Sequence, residues 1–270
     1  MFKNNSINQC AQKRRLFFGD LFLFILLLAV GSFFLYQGTE KLGYNWQWFR
    51  IPDFIFTYSN HEFISGPLLK GLLVTLKITG LGFVLTFIIG LGTAILRLSD
   101  SFVGNSIARL YLEIVRNTPL LIQLFFIYFV VSPILNISGF WSAVIALSLF
   151  EGAYASEIFR SGITSIDKGQ WEAAFSLGGN TKFAYMNVIL PQAIPRIAPP
   201  LAGQAIALVK DSALVSTVAI YDLTMQGQSI ISETFLTFEI WFTVAAAYLV
   251  VTLLLSWTLD RLAESFKSAW

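Results

Sequence analysis

The chain has 270 residues, of which 56% are hydrophobic and only 13% charged, with a formal net charge of +2. A soluble domain of this size exposes far more charge, so composition excludes an ordinary globular protein. A bilayer is crossed by about 20 consecutive apolar residues in a helix. In chain order the windows that qualify are Leu21–Tyr36, Leu68–Leu96, Leu110–Val131, Phe140–Phe159, Ile197–Ile220 and Phe238–Leu259. The fold class expected is an all-α integral membrane protein with about six transmembrane helices.

Charge distribution orients these windows. With a cytoplasmic N-terminus and a crossing at each window, Lys3, Lys13, Arg14, Arg15, Arg97 and Arg109 lie inside. So do Arg160, Lys168, Lys182, Arg196, Arg261 and Lys267, and only Lys41 and Arg50 lie outside. That asymmetry follows the positive-inside rule and predicts both termini in the cytoplasm of a multi-pass protein. Lys70, Lys77, Arg116 and Lys210 fall within spans or at their ends. The basic stretch before Leu21 resembles a signal peptide, but no small-x-small cleavage site follows Val30, so this helix is expected to be retained. The lone Cys10 excludes an internal disulfide and a cysteine metal cluster, and His61 beside Glu62 is expected to be a solvated surface residue. No metal and no cofactor are expected.

The segment after the first window carries Trp46, Trp48, Phe49 and Tyr58, rings that favour the headgroup level of a membrane. Residues 1–65 are therefore expected to comprise a tail, one helix and an outer interfacial segment. Gly80, Gly82, Gly90 and Gly92 mark the second window as a helix that packs closely on a neighbour.

Residues 161–196 form the informative stretch, too polar to span and punctuated like a docking element. Ser165 or Asp167 can cap a short helix that runs to Leu177, and Gly178-Gly179 stops it. Asn180 or Thr181 can cap a second short helix, expected to end at Leu190-Pro191. Pro191, Pro195, Pro199 and Pro200 are expected to set the exit into the next span.

At these residues the sequence resembles the permease subunits of bacterial ABC importers. Their cytoplasmic signature is Glu-Ala-Ala, three residues, Gly, nine residues, then Ile-x-Leu-Pro. It stands here as Glu172-Ala173-Ala174, Gly178 and Val188-Ile189-Leu190-Pro191, with Val in place of Ile. The run from Arg116-Asn117-Thr118-Pro119 to Gln123 is similar to the polar amino acid branch, with Asn117 in place of Gly. Gly152–Arg160 and Lys210–Leu214 fit the same branch. The resemblance implies a five-helix permease core over residues 66–267 with one added N-terminal helix. It also implies a cell inner membrane location and the partners of an importer. These are an ABC ATPase subunit, a second permease subunit, a periplasmic or surface amino-acid-binding protein and lipid, with no nucleic acid. Glu172, Ala173, Ala174, Gly178, Leu190 and Pro191 would then form the ATPase contact. The chain contains no Gly-x-x-x-x-Gly-Lys-[Ser/Thr] phosphate cradle, so ATP would be hydrolysed on the separate subunit and this chain is not expected to be an enzyme.

Charge inside a membrane is costly and marks function. Glu151 falls mid-span, where it would either receive a cationic group of the cargo or pair with Lys210. Thr118, Gln123, Lys210 and Asp211 complete the expected substrate pathway, while Glu157 and Arg160 are spaced to pair with each other on one helix face. An ion-driven carrier is the competing class, but internal repeats and broken mid-membrane helices are not evident in the sequence.

Overall fold

The computed structural model describes residues 21–34, 36–38, 43–59 and 62–268. Lys3, Cys10, Lys13, Arg14, Arg15, Lys41, His61 and the side chain of Lys267 lie outside the described residues, and with them parts of the charge and cysteine readings. Two compact units divide after Gln47. The first contains helix α1, Leu21–Gly38, long and apolar enough to cross a membrane.

The second unit opens with a 3-10 turn at Trp48–Arg50 and a short helix α2, Ile51–Ile55. An antiparallel hairpin follows, β1 (Phe56–Ser59) on β2 (Glu62–Ser65), with Phe56 opposite Ser65. It is the one β element among the described residues, and a hydrogen bond from Gly66 N–H to Ile55 O (2.9 Å) closes its base. Ile51 and Phe54 pack with Leu68, Leu223 and Ile240, which ties this outer segment to the helical core.

Helices α3 (Pro67–Leu98) and α7 (Gly139–Thr164) form the centre. They run parallel, since Ser148 Oγ donates to Gly82 O (3.2 Å) and, further along both helices, Gly90 lies against Ala155. Their contact is built from small residues: Gly82, Thr86, Gly90 and Ala94 against Ser148, Gly152 and Ala155, all buried. In lipid, where aliphatic burial gives little drive, such close backbone approach is what holds helices together. Of the four glycines expected to pack, Gly82 and Gly90 do so, whereas Gly80 and Gly92 have open space beside them.

The third window, Leu110–Val131, was expected to be one continuous span. It is instead a broken one. Helix α4 (Phe102–Arg116) and the run formed by α5 (Leu120–Phe126), a π-helical stretch and α6 (Ser132–Leu135) are bent by 107°. Pro119 causes the break by disfavouring the helical conformation at Thr118 and lacking an N–H. Backbone groups freed at such a break need new partners. Gln123 Nε2 supplies them, donating to Val115 O (2.7 Å) and Thr118 O (3.0 Å). With this bend counted as one span, there are six candidate spans among the described residues.

After α7 come α8 (Lys168–Ser176), α9 (Thr181–Phe183), another π-helical stretch and α10 (Leu190–Asp211), which ends in a 3-10 turn at Ser212–Val218. The expected stop at Leu190-Pro191 does not occur. Thr181–Val218 is one helical run, with Pro195, Pro199 and Pro200 inside it. The backbone register widens just ahead of two prolines, Pro133 and Pro191. Ser132 N–H reaches Ile127 O before Pro133, and Leu190 N–H reaches Tyr185 O before Pro191. The polar loop is accordingly shorter than 161–196, because α7 extends to Thr164 and the next span begins at Thr181. Helix α10 runs antiparallel to α7, with Gly162 beside Ile197 and Glu151 beside Gln204.

Helices α11 (Leu223–Thr234) and α12 (Thr237–Ser268) complete the unit. Asp222 caps α11 by accepting from Met225 N–H (2.8 Å), and Thr75 of α3 accepts from Leu223 N–H (3.1 Å).

The α3–α7 crossing yields a prediction. A Cβ on Gly90 would sit 2.8 Å from the Ala155 Cβ and 3.2 Å from Gly152 O. Gly90→Val should therefore destabilise the bundle by about 1–3 kcal/mol, seen as a lower thermal unfolding midpoint in detergent. Gly80→Val, with no neighbour to meet, should leave that midpoint within about 0.5 kcal/mol of the starting protein.

Candidate functional site

The loop between α7 and α10 is short and rigid. Asp167 caps α8 by accepting from Gly169 N–H (2.6 Å). Gly178 ends the helix at φ +79°, a left-handed conformation that glycine adopts without strain. Gly179 N–H donates to Ala174 O (3.1 Å), and a Cβ on Gly179 would lie 2.7 Å from that oxygen. Asn180 then caps the next helix by accepting from Phe183 N–H (2.9 Å). So Asp167 and Asn180, each one of two candidates in the sequence, take the capping roles.

Cross-links hold this turn on the start of α10. The rings of Trp171 and Tyr185 meet edge to face at 4.8 Å. Gln192 Nε2 donates to Gln170 Oε1 (3.0 Å), and Arg196 Nη1 donates to Ser165 O (2.8 Å). These contacts join α8 to a membrane-spanning helix through packed side chains.

The signature residues divide between surface and interior. Glu172, Ala173 and Gly178 are exposed. Ala174, expected to seat directly in a partner's groove, is instead buried at 1% exposure within its own loop. Its small size lets α8 lie close to the segment after Gly179. Leu190 and Pro191 are half-buried inside a continuous helix and act as its scaffold. Sequence reasoning missed the apolar surface of the turn: Phe175, Leu177, Phe183 and Met186 are exposed, Leu177 at 84%. Large exposed apolar groups on a polar loop mark a contact surface. Leu177 carried a legible signal, standing between a helix end and its left-handed glycine.

The second candidate site lies mid-membrane. Glu151 is buried at 1% exposure. Gln204 Nε2 donates to its Oε2, no donor among the described residues reaches its Oε1, and the Asp211 carboxyl group lies beside it. The alternative pairing of Glu151 with Lys210 is not found. Lys210 points away, exposed, and makes no ion pair among the described residues, because Asp211 rather than Lys210 takes the inward position on α10. Gln204 was not anticipated, although it stands seven residues before Asp211 and so shares its face of the helix. Thr118 and Gln123 meet at the bend: Thr118 Oγ1 donates to Ile114 O (2.8 Å) and accepts from Gln123 Nε2 (2.7 Å).

The outward face of α10 differs from that of its neighbours. Arg196, Pro199, Pro200, Gly203 and Lys210 are exposed along one stripe of it, while Ile194 is exposed on a different face. On α12 the exposed residues include Phe242, Leu249, Leu253 and Leu254. A stripe of small and cationic residues suits water rather than hydrocarbon.

Near the end of α7, Glu157 pairs with Arg160 as its spacing predicts (2.9 Å). Two further arginines join it, Arg97 from α3 and Arg116 from α4, the latter at 3.9 Å.

Comparison with known proteins identifies the family. Residues 82–268 match the family described as the inner membrane component of binding-protein-dependent transport systems. The glutamine transport system permease protein GlnP of Escherichia coli (strain K12) is 38% identical over 203 residues, covering 74% of this chain and 93% of its own. The L-cystine transport system permease protein TcyL of Bacillus subtilis (strain 168) is 31% identical over 199 residues, covering 71% and 83%. The crystal structure of an amino acid ABC transporter with histidines superposes with a TM-score of 0.69 at 38% identity, covering 74% of this chain and 94% of that one. An inward-facing structure of the MetNI methionine ABC transporter, at 20% identity and a TM-score of 0.66, shares the fold. This chain belongs to the inner-membrane permease components of binding-protein-dependent ABC importers, in their amino-acid branch.

Proposed function

We propose that this permease carries a polar amino acid inward past α10, that Glu151 receives the cargo's ammonium or cationic group, and that ATP is hydrolysed on a separate subunit docked against the loop at 165–191. The observation that carries the cargo reading is the buried Glu151 oxygen without a hydrogen-bond partner among the described residues, next to a second carboxyl group. Two adjacent carboxyl groups in a low-dielectric site favour an incoming cation, and any amino acid brings an ammonium. The relatives named for glutamine and L-cystine transport support a polar zwitterion as cargo. Gln204 holds one Glu151 oxygen in place and leaves the other to the cargo. Asp211 deepens the negative field, and Lys210, exposed on α10, is placed to meet an anionic group travelling along the same stripe.

Docking rests on the turn described above. Exposed Glu172, Ala173, Phe175 and Leu177 offer a mixed apolar and acidic surface, while buried Ala174 and left-handed Gly178 set its shape. In this reading residues 66–267 form the importer domain. The termini lie in the cytoplasm with the turn, a second permease subunit closes the pathway, and a binding protein delivers cargo at the opposite face. The chain supplies the route and the partner supplies hydrolysis.

Two outcomes are expected. Gly178→Val forces a branched residue into the left-handed region, at about 1–3 kcal/mol of strain, and Leu177→Asp puts charge into the docking surface. Both variants should insert into membranes yet copurify poorly with the ATPase subunit, and full cargo-stimulated ATP hydrolysis in both would refute the docking assignment.

Glu151→Gln keeps volume and hydrogen bonding while removing the charge. Uptake in proteoliposomes should fall by about tenfold or more, the worth of one charge-assisted hydrogen bond. Thermal stability and basal ATP hydrolysis should persist, since the change relieves a repulsion with Asp211 rather than breaking an ion pair. Unchanged uptake would show that cargo does not touch this residue.

A further inference from the structure

Four ionised side chains gather at the end of the bundle that carries α8, and their charges do not balance. Arg97, Arg116 and Arg160, from α3, α4 and α7, surround the single carboxylate of Glu157. Among the described residues no second carboxylate comes within ion-pair distance of these arginines. Glu113, the acidic group next along α4, is engaged instead by Asn117, whose Nδ2 donates to Glu113 Oε2 (3.0 Å). Three guanidinium groups against one carboxylate leave two positive charges in excess.

The depth of the cluster decides what can answer that excess. Arg97 is the residue before the end of α3, Arg116 is the last of α4, and Arg160 lies one turn before the end of α7. This is the headgroup level of the leaflet on the α8 side. Arg116 and Arg160 keep 45% and 33% of their side chains exposed, and Arg116 is steadied over the Tyr154 ring at 5.7 Å. Arg97, at 21%, is the most enclosed and anchors Glu157 from behind. The outer half of the cluster is thus open to a ligand whose charge opposes its own.

The neighbouring surface says which ligand. Helix α4 exposes Phe102, Val103, Ile107, Leu110 and Ile114, between 56% and 85%, along a stripe that ends beside Arg116. A guanidinium fork pairs a phosphate in two-point geometry, and an apolar stripe beside it accepts hydrocarbon chains. Basic pockets between transmembrane helices on the cytoplasmic side are where anionic headgroups bind. We propose that Arg97, Arg116 and Arg160, gathered on Glu157, form a site for the phosphate of an anionic phospholipid, with its chains lying on α4. Glu157 holds the arginines together in the absence of lipid and competes with the phosphate for them. The assignment to the cytoplasmic leaflet rests on the orientation proposed above, whereas the pairing chemistry does not.

The test is binding of phosphatidylglycerol, with phosphatidylcholine as the neutral reference, to the purified full chain by native mass spectrometry. Arg116→Gln should weaken phosphatidylglycerol binding about fivefold, from about 1 kcal/mol per basic residue. Glu157→Gln removes the internal competitor and should tighten it by a similar factor. A merely structural role would weaken binding in both variants or move neither. Arg109→Gln, an exposed arginine of the same helix bonded to Asn105, should leave binding unchanged. The proposal is overturned if Arg109→Gln matches the Arg116→Gln loss, or if Glu157→Gln fails to tighten binding. It is also overturned if inorganic phosphate competes with the lipid at equal concentration, which would make the site one for a soluble anion.

Discussion

The close crossing of α3 on α7 is the contact on which the rest of the fold depends. Lipid offers no penalty for leaving a leucine exposed, so the bundle cannot be held by aliphatic burial alone. It is held where Gly82 and Gly90 let one backbone reach another, with Ser148 Oγ donating to Gly82 O across the gap. That contact fixes the face that α7 turns to α10, and so places Glu151 against Gln204 and Asp211. It also brings Arg97 to Glu157 at the far end.

Coupling follows from the same geometry. Helix α7 ends at Thr164 and α10 is already helical from Thr181, so only a short turn separates two spans. Trp171 on Tyr185 and Arg196 on Ser165 leave that turn little freedom to yield. A force applied at Leu177 has one stiff route, through α8 into α10, whose outward stripe carries Lys210 and whose inward face carries Asp211. The proline-rich start of α10 is compatible with this, because the π-helical stretch before Pro191 reroutes the hydrogen bonding without breaking the rod.

Much of this was legible in the residues. Apolar windows matched most of the spans, and the Glu172–Pro191 spacing pointed to the family. The shortfalls have physical causes. Pro119 in an apolar window does not announce a 107° bend, because the bend depends on Gln123 reaching back to capture carbonyls. Leu190-Pro191 suggested a helix end and Pro195, Pro199 and Pro200 an exit into the next span, yet a membrane helix tolerates prolines once register shifts and neighbours satisfy the freed groups. Whether Glu151 faced Lys210 or Asp211 turned on one residue of helical rotation, which a span length cannot resolve. Arg97 and Arg116 lie 60 and 41 positions from Glu157 along the chain, a distance only the folded bundle closes.

The central claim is that this chain is a route powered by a partner. It is tested most directly by uptake of radiolabelled polar amino acids into proteoliposomes that contain the permease, its ATPase subunit and the binding protein. Uptake should require ATP on the ATPase side, stop when that subunit is omitted, and ignore an imposed sodium or proton gradient. Accumulation driven by either gradient, with the permease alone in the membrane, would contradict the account.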